Sequence, residues 1–294
     1  MRVTVLHPDA VVAARREAQQ ALGADEVFFP EPVLPERTGS TNDDLVGGKP
    51  QHLALVGTLE QSSGKGRLNR DWVAPPGACL TYSVNLVVPA SLPAEALGWV
   101  TVLTAVACAE VVNEVAGRDG AAVKWPNDLI LDGKKLAGIL ARLVPGIDGG
   151  PHRVISGIGL NLDQTREELP VGTATSLALQ DIAVNPDEIL GKLWARIGLV
   201  VDQFFAVGGD VLTPLSRLAG KDGRPRSVVQ AARETSSTIG AEVRVHLPGG
   251  KDLVGTAEDL GADGCLIVRD AHGERQHVHA GDVVHLRRSD GGYV

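Results

Sequence analysis

Apolar residues recur at helical spacing along several stretches of the chain. Residues 94–115 place Leu and Val at intervals of three and four, and 186–205 repeat this spacing after Pro186. Residues 9–22 are rich in Ala, Arg and Gln, and Asp9 stands where an N-cap residue would be. We therefore predict three helices in these stretches.

Runs of β-forming residues predict strands between those helices. Residues 53–56 form a short apolar run, 81–88 alternate as a half-buried strand does, and 154–162 form a third run. Residues 129–140 hold two apolar runs on either side of Asp132-Gly133, a dipeptide suited to the positive φ values of a tight hairpin turn. These runs predict a sheet that includes one hairpin.

The pattern changes after about residue 210. Residues 241–287 hold short alternating runs separated by turns, which is typical of a small SH3-like β-barrel. The predicted fold class is α+β, a mixed sheet with helices followed by that barrel. We predict an N-terminal helix and connector over 1–36, a catalytic domain over 37–210 and a C-terminal barrel domain over 238–290.

Charge and cysteine content narrow the class of function. The net charge is −8 and no basic tail is present, which argues against a general binder of nucleic acid or anionic membranes. An anion could still bind in a local cationic pocket.

The three cysteines are widely spaced without C-x-x-C, which indicates reduced thiols in a cytoplasmic protein. The longest apolar stretch is too short and too mixed to predict a membrane span.

Residues 61–72 combine glycines with cations. Gly64 to Arg70 hold two glycines and three cations, Lys65, Arg67 and Arg70. Glycine lets the backbone approach a phosphate closely, and arginine pairs with phosphate oxygens in bidentate fashion. The spacing is not that of a Walker A loop. The segment is therefore either an anion-binding loop or a solvated basic turn.

A second group of polar residues lies at a predicted strand end. Lys124-Trp125-Pro126-Asn127-Asp128 precedes the hairpin, whose second strand returns with Lys134 and Lys135. Side chains alternate along a strand, so only one of these lysines can face inward. The alternative is that both are exposed at the hairpin tip. 

Three further patterns are weaker. Gly157-Ile158-Gly159-Leu160-Asn161 suggests a bulge or close approach of a ligand to the backbone. Ser40-Thr41-Asn42 fits an ordinary helix N-cap. His277 and His279 share a strand face, but no further metal ligands accompany them, so a surface role is favoured.

Taken together and in order, these segments resemble the biotin–protein ligase family. The family pattern has an S-T-N start, a Q-x-x-G-[RK]-G-R-x-x-R-x-W loop, K-W-P-N-D with a G-[RK]-K-x-x-G-I-L hairpin, and a G-I-G-x-N strand. All occur here, at 40–42, 61–72, 124–140 and 157–161, and the match covers 37 to about 205. Lipoate ligases share the fold but not the K-W-P-N-D and hairpin pair.

The resemblance implies an enzyme that activates biotin with ATP and transfers it to a lysine of a biotin carboxyl carrier protein or domain of an acyl-CoA carboxylase. The implied catalytic residues are Lys135 and Arg67, with Mg²⁺ arriving with ATP rather than held by protein side chains alone. The implied biotin-binding residues are Ser40, Thr41, Asn42, Gln61, Gly64, Lys65, Gly66, Arg67, Lys135 and Gly138. The implied ATP-binding residues are Arg67, Arg70, Trp72, Lys124, Asn127 and Asn161.

The resemblance also implies a form that does not bind DNA, because only about 36 residues precede the S-T-N segment. We expect a monomer or weak homodimer without membrane contact. The alternatives are a lipoate- or octanoyl-type protein ligase, and a biotin-sensing binding module without turnover. Asn69 stands where the family loop often carries Gly, so we expect Asn69 to adopt a positive φ when the loop is closed.

Overall fold

The computed structural model describes residues 2–49, 51–147, 149–247, 250–279 and 281–285, apart from the side chain of Asn69. The described helices are α1 (Pro8–Ala21), α2 (Thr41–Gly47), α3 (Leu97–Ala116), α4 (Pro186–Ala206) and α5 (Val228–Thr235), with 3₁₀ turns at Arg67–Asn69, Ala94–Ala96 and Ala178–Gln180. The described strands are β1 (Leu55–Thr58), β2 (Gly64–Lys65), β3 (Asp71–Trp72), β4 (Cys79–Val87), β5 (Ala121–Lys124), β6 (Asp128–Leu131), β7 (Lys134–Val144), β8 (Arg153–Asn161), β9 (Leu215–Ala219), β10 (Pro225–Arg226), β11 (Glu242–His246), β12 (Asp252–Leu260), β13 (Leu266–Asp270), β14 (Arg275–Val278) and β15 (Asp282–His285).

The main sheet has six strands in the order β1-β4-β8-β7-β6-β5. Its neighbouring strands pair antiparallel, and parallel bridges join Val33 to Val56 and Thr38 to Gln61. β4 and β8 lie at the centre and are buried along nearly their whole length. The expected alternation over 81–88 is wrong, because helices α3 and α4 cover one face of these strands and α2 contacts them as well.

The predicted helices form with small shifts at their ends. α1 begins at Pro8 and its N-cap is His7, so Asp9 is not the cap. The Asp9 carboxylate lies instead in the first turn, where it interacts favourably with the helix dipole. The helical stretch Ala94–Ala116, which includes α3, is long and apolar enough to cross a membrane, yet 72% of its apolar window is buried inside the protein. α3 is therefore a core helix, and its Glu110 and Glu114 pair with cations of neighbouring elements.

The predicted hairpin is confirmed. Asp132 and Gly133 link β6 to β7 with φ values of 48° and 76°, which suit the right-handed twist of paired strands. The register shifts between Leu129 and Ile130, so Lys135 lies opposite Ile130 and Gly138 lies opposite Asp128. This bulge determines which hairpin side chains reach the sheet edge where β5 ends.

The C-terminal strands form a second antiparallel sheet, in the order β14-β13-β12-β11-β15. Within the described part of 241–285 no pairing joins β14 to β15, so the structure shows a five-stranded sheet and not a closed barrel. Residues 211–237 hold β9, β10 and α5, and α5 contacts both α3 and β12. Arg233 of α5 pairs with Asp259 of β12, with Nη2 2.5 Å from Oδ2.

The two sheets meet through tryptophans. Trp125 follows β5 in the chain but packs in the apolar core of the C-terminal sheet. Its Nε1 donates to the Gly264 carbonyl at 3.1 Å, and Trp99 Nε1 donates to the Ala262 carbonyl at 2.7 Å. The turn between β12 and β13 is thereby held against α3 and the end of β5.

Candidate active site

A cleft of about 1160 Å³ opens between the main sheet, the loop 61–72 and the C-terminal sheet. Its volume suits a small molecule and a nucleotide together. Most of the residues singled out in the sequence line it. They are Ser40, Thr41, Asn42, Gln61, Lys65, Gly66, Arg67, Arg70, Trp72, Asn127, Lys135, Gly138 and Asn161.

Gly64 and Lys124 are the two predicted biotin- or ATP-binding residues that do not line the cleft. Gly64 is a buried residue of the loop, where a Cβ would lie 2.3 Å from Gln61 Nε2 and 2.6 Å from the Trp72 carbonyl oxygen, so glycine allows the loop backbone to pass. Lys124 is half-buried at the end of β5, and burial lowers the pKa of its ammonium despite the nearby Asp128 carboxylate. Its charge also interacts with those of Lys135 and Asp282, which line the cleft.

One end of the cleft is lined by the polar side chains of the S-T-N segment, and its charged residues Asp43 and Arg142 pair with each other at 3.0 Å. Ser40 caps α2, with Oγ accepting from the Asp43 amide, so the S-T-N segment is the helix N-cap that the sequence predicted. The Thr41 amide donates to Gln61 Oε1 at 2.9 Å, and the hydroxyls of Thr41 and Ser83 lie 2.7 Å apart. Ser83 in turn donates to Asn42 Oδ1 at 2.8 Å. This connected set orients donors and acceptors for a neutral polar ligand.

Glycines on β7 and β8 form the floor of the cleft. A Cβ on Gly159 would lie 2.3 Å from the Trp72 ring, and one on Gly138 would lie 3.0 Å from it. A Cβ on Gly157 would lie 2.4 Å from Asn42 Oδ1. The close approach expected at Gly157 and Gly159 is thus made by two of the protein's own side chains.

Trp72 also contacts Cys79. Its Nε1 lies 3.4 Å from Cys79 Sγ, and burial raises the pKa of that thiol to about 12. Because a protonated thiol is a poor nucleophile, Cys79 is not suited to covalent catalysis.

Lys135 is the hairpin lysine that faces the cleft, whereas Lys134 does not line it. Lys135 Nζ lies 2.7 Å from Asp128 Oδ1 and 5.9 Å from the centre of the Trp72 ring. The prediction that only one of the two lysines faces inward therefore holds, and the extra residue of the bulge, Leu136, follows Lys135 in β7. Lys135 remains 36% exposed, so it can exchange this partner for an anion.

The loop cations are held by partners within the protein. Strands β2 and β3 pair Lys65 with Asp71, whose charged atoms lie 2.6 Å apart. Arg67 donates to Asn127 Oδ1 at 3.1 Å and to the Gly281 carbonyl at 3.3 Å, and Arg70 pairs with Asp282. The loop thus bridges the K-W-P-N-D segment and the C-terminal sheet.

The left-handed residue that the structure shows in this loop is Leu68, with φ 55° and ψ 33°, directly before Asn69. We expected this conformation one residue later. A positive φ strains any residue with a Cβ, and leucine tolerates it less well than asparagine. Leu68 is 72% exposed, so packing does not require its side chain there.

Two asparagines at strand ends complete the cleft. Asn127 donates from Nδ2 to the Ile139 carbonyl at 2.8 Å while it accepts from Arg67. Asn161 is buried, donates to the Thr175 carbonyl at 2.9 Å and accepts from Gln164 Nε2 at 2.8 Å. Both side chains are therefore fixed in orientation by the protein.

Several residues at the cleft were not predicted from the sequence. Ser83, Asp128 and Asp282 each contact a predicted site residue, and Asp263 lines the far wall beside His279. Asp128 belongs to the K-W-P-N-D segment, so its position was a usable signal. Ser83, Asp263 and Asp282 come from strands or turns distant in the chain, and no local pattern marks them.

Comparison with known proteins agrees with this arrangement. Residues 34–161 match the model of the Biotin/lipoate A/B protein ligase family, and residues 238–286 match that of the Biotin protein ligase C terminal domain. A biotin--[acetyl-CoA-carboxylase] ligase of Mycobacterium tuberculosis is 33% identical over 257 residues, which cover 85% of this chain and 87% of that protein. A bifunctional ligase/repressor BirA of Escherichia coli is 37% identical over 151 residues, 50% of this chain and 46% of that relative.

The fold agrees as well. A crystal structure of a biotin protein ligase from Aquifex aeolicus superposes with a TM-score of 0.66 at 17% identity, covering 88% of this chain and all of that one. The two family models and the Mycobacterium tuberculosis relative indicate the same family, and the Aquifex aeolicus structure shares its fold. We conclude that this chain belongs to the biotin–protein ligase family.

Proposed function

We propose that the protein activates biotin with ATP and transfers it to a lysine of a biotin carboxyl carrier domain of an acyl-CoA carboxylase. In the first step the biotin carboxylate attacks the α-phosphorus of ATP, and pyrophosphate leaves. In the second step the carrier lysine amine attacks the acyl carbon of biotinyl-5'-AMP, AMP leaves and the amine loses a proton.

The observation that carries this proposal is the convergence of Lys135 and Arg67 on a cleft whose other end presents neutral hydrogen-bonding groups. The first step brings together two anions, so it needs fixed cations where negative charge develops. The bicyclic ureido ring of biotin is neutral and needs both donors and acceptors. The cleft offers these two environments side by side.

We assign the end at the S-T-N segment to biotin. Ser40, Thr41, Asn42 and Gln61 supply the polar groups, and Gly138 keeps the floor beneath Trp72 free of a side chain. Lys135 would contact the biotin carboxylate. Lys65, Gly66 and Arg67 would close over the ligand, and Gly64 contributes by leaving room for the loop backbone.

We assign the opposite end to ATP. Arg67 and Arg70 would contact the phosphate, with Trp72, Asn127 and Asn161 nearer the nucleoside and Lys124 contributing charge near the phosphates. The cleft carboxylates Asp71, Asp128 and Asp282 are each paired with a cation. This donor set suits Mg²⁺ delivered with the phosphates, since Mg²⁺ needs only one or two protein carboxylates. Bound there, Mg²⁺ would offset phosphate charge.

An assay of each product tests the proposal. The full chain is incubated with ATP, Mg²⁺ and labelled biotin, with and without a carrier domain. We expect pyrophosphate in the first step, then AMP and label on the carrier. If labelled octanoate or lipoate, and not labelled biotin, modified the carrier, the protein would be a lipoate- or octanoyl-type ligase. Biotin binding without pyrophosphate release would indicate a sensing module.

The loop 62–70 is expected to become more ordered when biotin and ATP bind, because phosphate can replace the carboxylate partners of its cations. Lys65 and Arg70 are 54% and 65% exposed, so trypsin should cut after them in the free protein. Adding both ligands should slow these cuts, while cleavage after Lys221, 82% exposed and outside the cleft, should not change. Equal slowing at Lys221, or no slowing at the loop, would contradict the expectation.

We further propose that the protein does not bind operator DNA, on the basis of its acidic balance. A gel-shift at low salt with biotin and ATP should show no discrete complex, and a sequence-selective shift would overturn this.

We also propose a cytoplasmic location, which the three free, buried cysteines support. A monomer or weak homodimer remains our expectation for the oligomeric state.

A further inference from the structure

A second cluster of chemically competent side chains lies on the far wall of the cleft, among residues to which the proposed reaction assigns no role. The ligand atoms of Asp263, Cys265 and His279 all lie within 4.8 Å of one another. His279 Nδ1 is 2.9 Å from Asp263 Oδ2. His277 Nδ1 is 3.4 Å from Cys265 Sγ. A carboxylate, a thiol and two imidazoles thus form one continuous group.

The strand register creates this group. β13 and β14 pair Leu266 with Val278 and Ile267 with His277, and continuing that register sets Cys265 opposite His279. Val278 is buried in the apolar core, so its neighbours His277 and His279 point to the other face. The turn before β13 adds Asp263. The sequence showed no further metal ligands near His277 and His279, whereas the fold brings Asp263 and Cys265 next to them.

The cluster is built on a rigid support. Trp99 and Trp125 hold the carbonyls of Ala262 and Gly264 on either side of Asp263. A Cβ on Gly98 would lie 2.1 Å from the Asp263 carbonyl oxygen, so glycine in the first turn of α3 allows this close contact. A rigid turn keeps the entropic cost of arranging ligands low, which favours binding at a preformed site.

We propose that Asp263, Cys265 and His279 hold a zinc-type divalent ion, with His277 or a water as the fourth ligand. Mixed sulfur, nitrogen and oxygen ligands in fourfold coordination are typical of Zn²⁺, whereas Mg²⁺ and Ca²⁺ prefer oxygen alone. The ion replaces the proton of the Cys265 thiol, which is released to solvent. His279 is 66% exposed on its side chain, which leaves an entry path.

The site would act next to the loop cations. His279 lies two residues before Gly281, whose carbonyl accepts from Arg67, and three before Asp282, which pairs with Arg70. An ion bound to His279 restrains the start of this segment. Metal occupancy therefore links the wall of the C-terminal sheet to the loop.

Direct metal binding tests this proposal without an activity assay. The full chain is stripped with a chelator, desalted and titrated with Co²⁺, which reports its ligands by absorbance, and then with Zn²⁺ against a chromophoric chelator. We expect a thiolate-to-cobalt charge-transfer band that Zn²⁺ abolishes. Cys265→Ser should remove the band. His279→Asn should weaken Zn²⁺ binding by at least about 100-fold, since loss of even an outer partner of a metal ligand costs about 10–100-fold.

A matched control lies in the same sheet. His246 and Asp252 form an exposed pair, with Nδ1 2.7 Å from Oδ1, that is similar to His279 and Asp263 but lacks the cysteine. His246→Asn should leave Zn²⁺ affinity unchanged. A wild-type protein without the charge-transfer band, or equal Zn²⁺ affinity in wild type and His279→Asn, would overturn the proposal. If Cys265→Ser does not fold, the exposed His279 variant still decides the outcome.

Discussion

Replacing Lys135 with alanine is expected to slow formation of biotinyl-5'-AMP by about 100- to 1000-fold, the range measured when one donor at a developing charge is removed. Lys135 reaches the cleft from β7 and is held there by Asp128 at 2.7 Å. Its ammonium can turn toward the reacting carboxylate and phosphate, whereas Arg142, the other hairpin cation that lines the cleft, is paired with Asp43. Single-turnover release of pyrophosphate measures the step.

Lys134→Ala is the matched control, because it removes the same charge from the neighbouring residue outside the cleft. We expect less than about a threefold change in that variant, since exposed charges at a distance are screened by salt. Thermal unfolding should be nearly unchanged in both variants. Equal losses of activity in the two would show that the charge of the hairpin, and not the position of Lys135, matters.

Replacing Trp125 with alanine is expected to lower the free energy of unfolding by about 3–5 kcal/mol, the usual cost of removing a large buried aromatic side chain. Trp125 is 6% exposed and packs with Val243, Leu266 and Val268 in the core of the C-terminal sheet. The variant also loses the hydrogen bond to the Gly264 carbonyl. Guanidinium unfolding followed by circular dichroism measures the change.

Trp125→Phe separates packing from hydrogen bonding. Phenylalanine keeps most of the apolar contact but cannot donate to Gly264, so we expect a loss nearer about 1–3 kcal/mol for the unsatisfied carbonyl. A Phe variant as unstable as the Ala variant would mean that the hydrogen bond, and not packing, joins the sheets. An Ala variant as stable as wild type would mean that the contact contributes little.

Local patterns were sufficient for the elements whose periodicity lies within one stretch of chain. α3, α4 and the hairpin at Asp132-Gly133 form where the sequence predicted them, because helical spacing and turn residues act over a few positions. β4 did not follow its expected alternation, since burial on its second face is created by elements that lie elsewhere in the chain.

The candidate site was also predicted only in part from the sequence. Most of the site residues predicted from the ordered motifs line the cleft. Strand alternation, which is local, required that only one hairpin lysine face inward, and the family resemblance selected Lys135. Lys124 is not among the residues that line the cleft, and its role near the phosphates stays a prediction. The structure shows the left-handed residue of the loop at Leu68, and a positive φ at Asn69 when the loop is closed stays a prediction.

By itself, the sequence determined the α+β class, the main helices, the hairpin and the family motifs, all of which depend on spacing within short segments. Only the tertiary structure decided that Trp125 joins the two sheets and that Asp282 partners Arg70. It also decided that Asp263 and Cys265 lie beside His279. These contacts depend on strand register and on packing between residues far apart in the chain, which no local periodicity encodes.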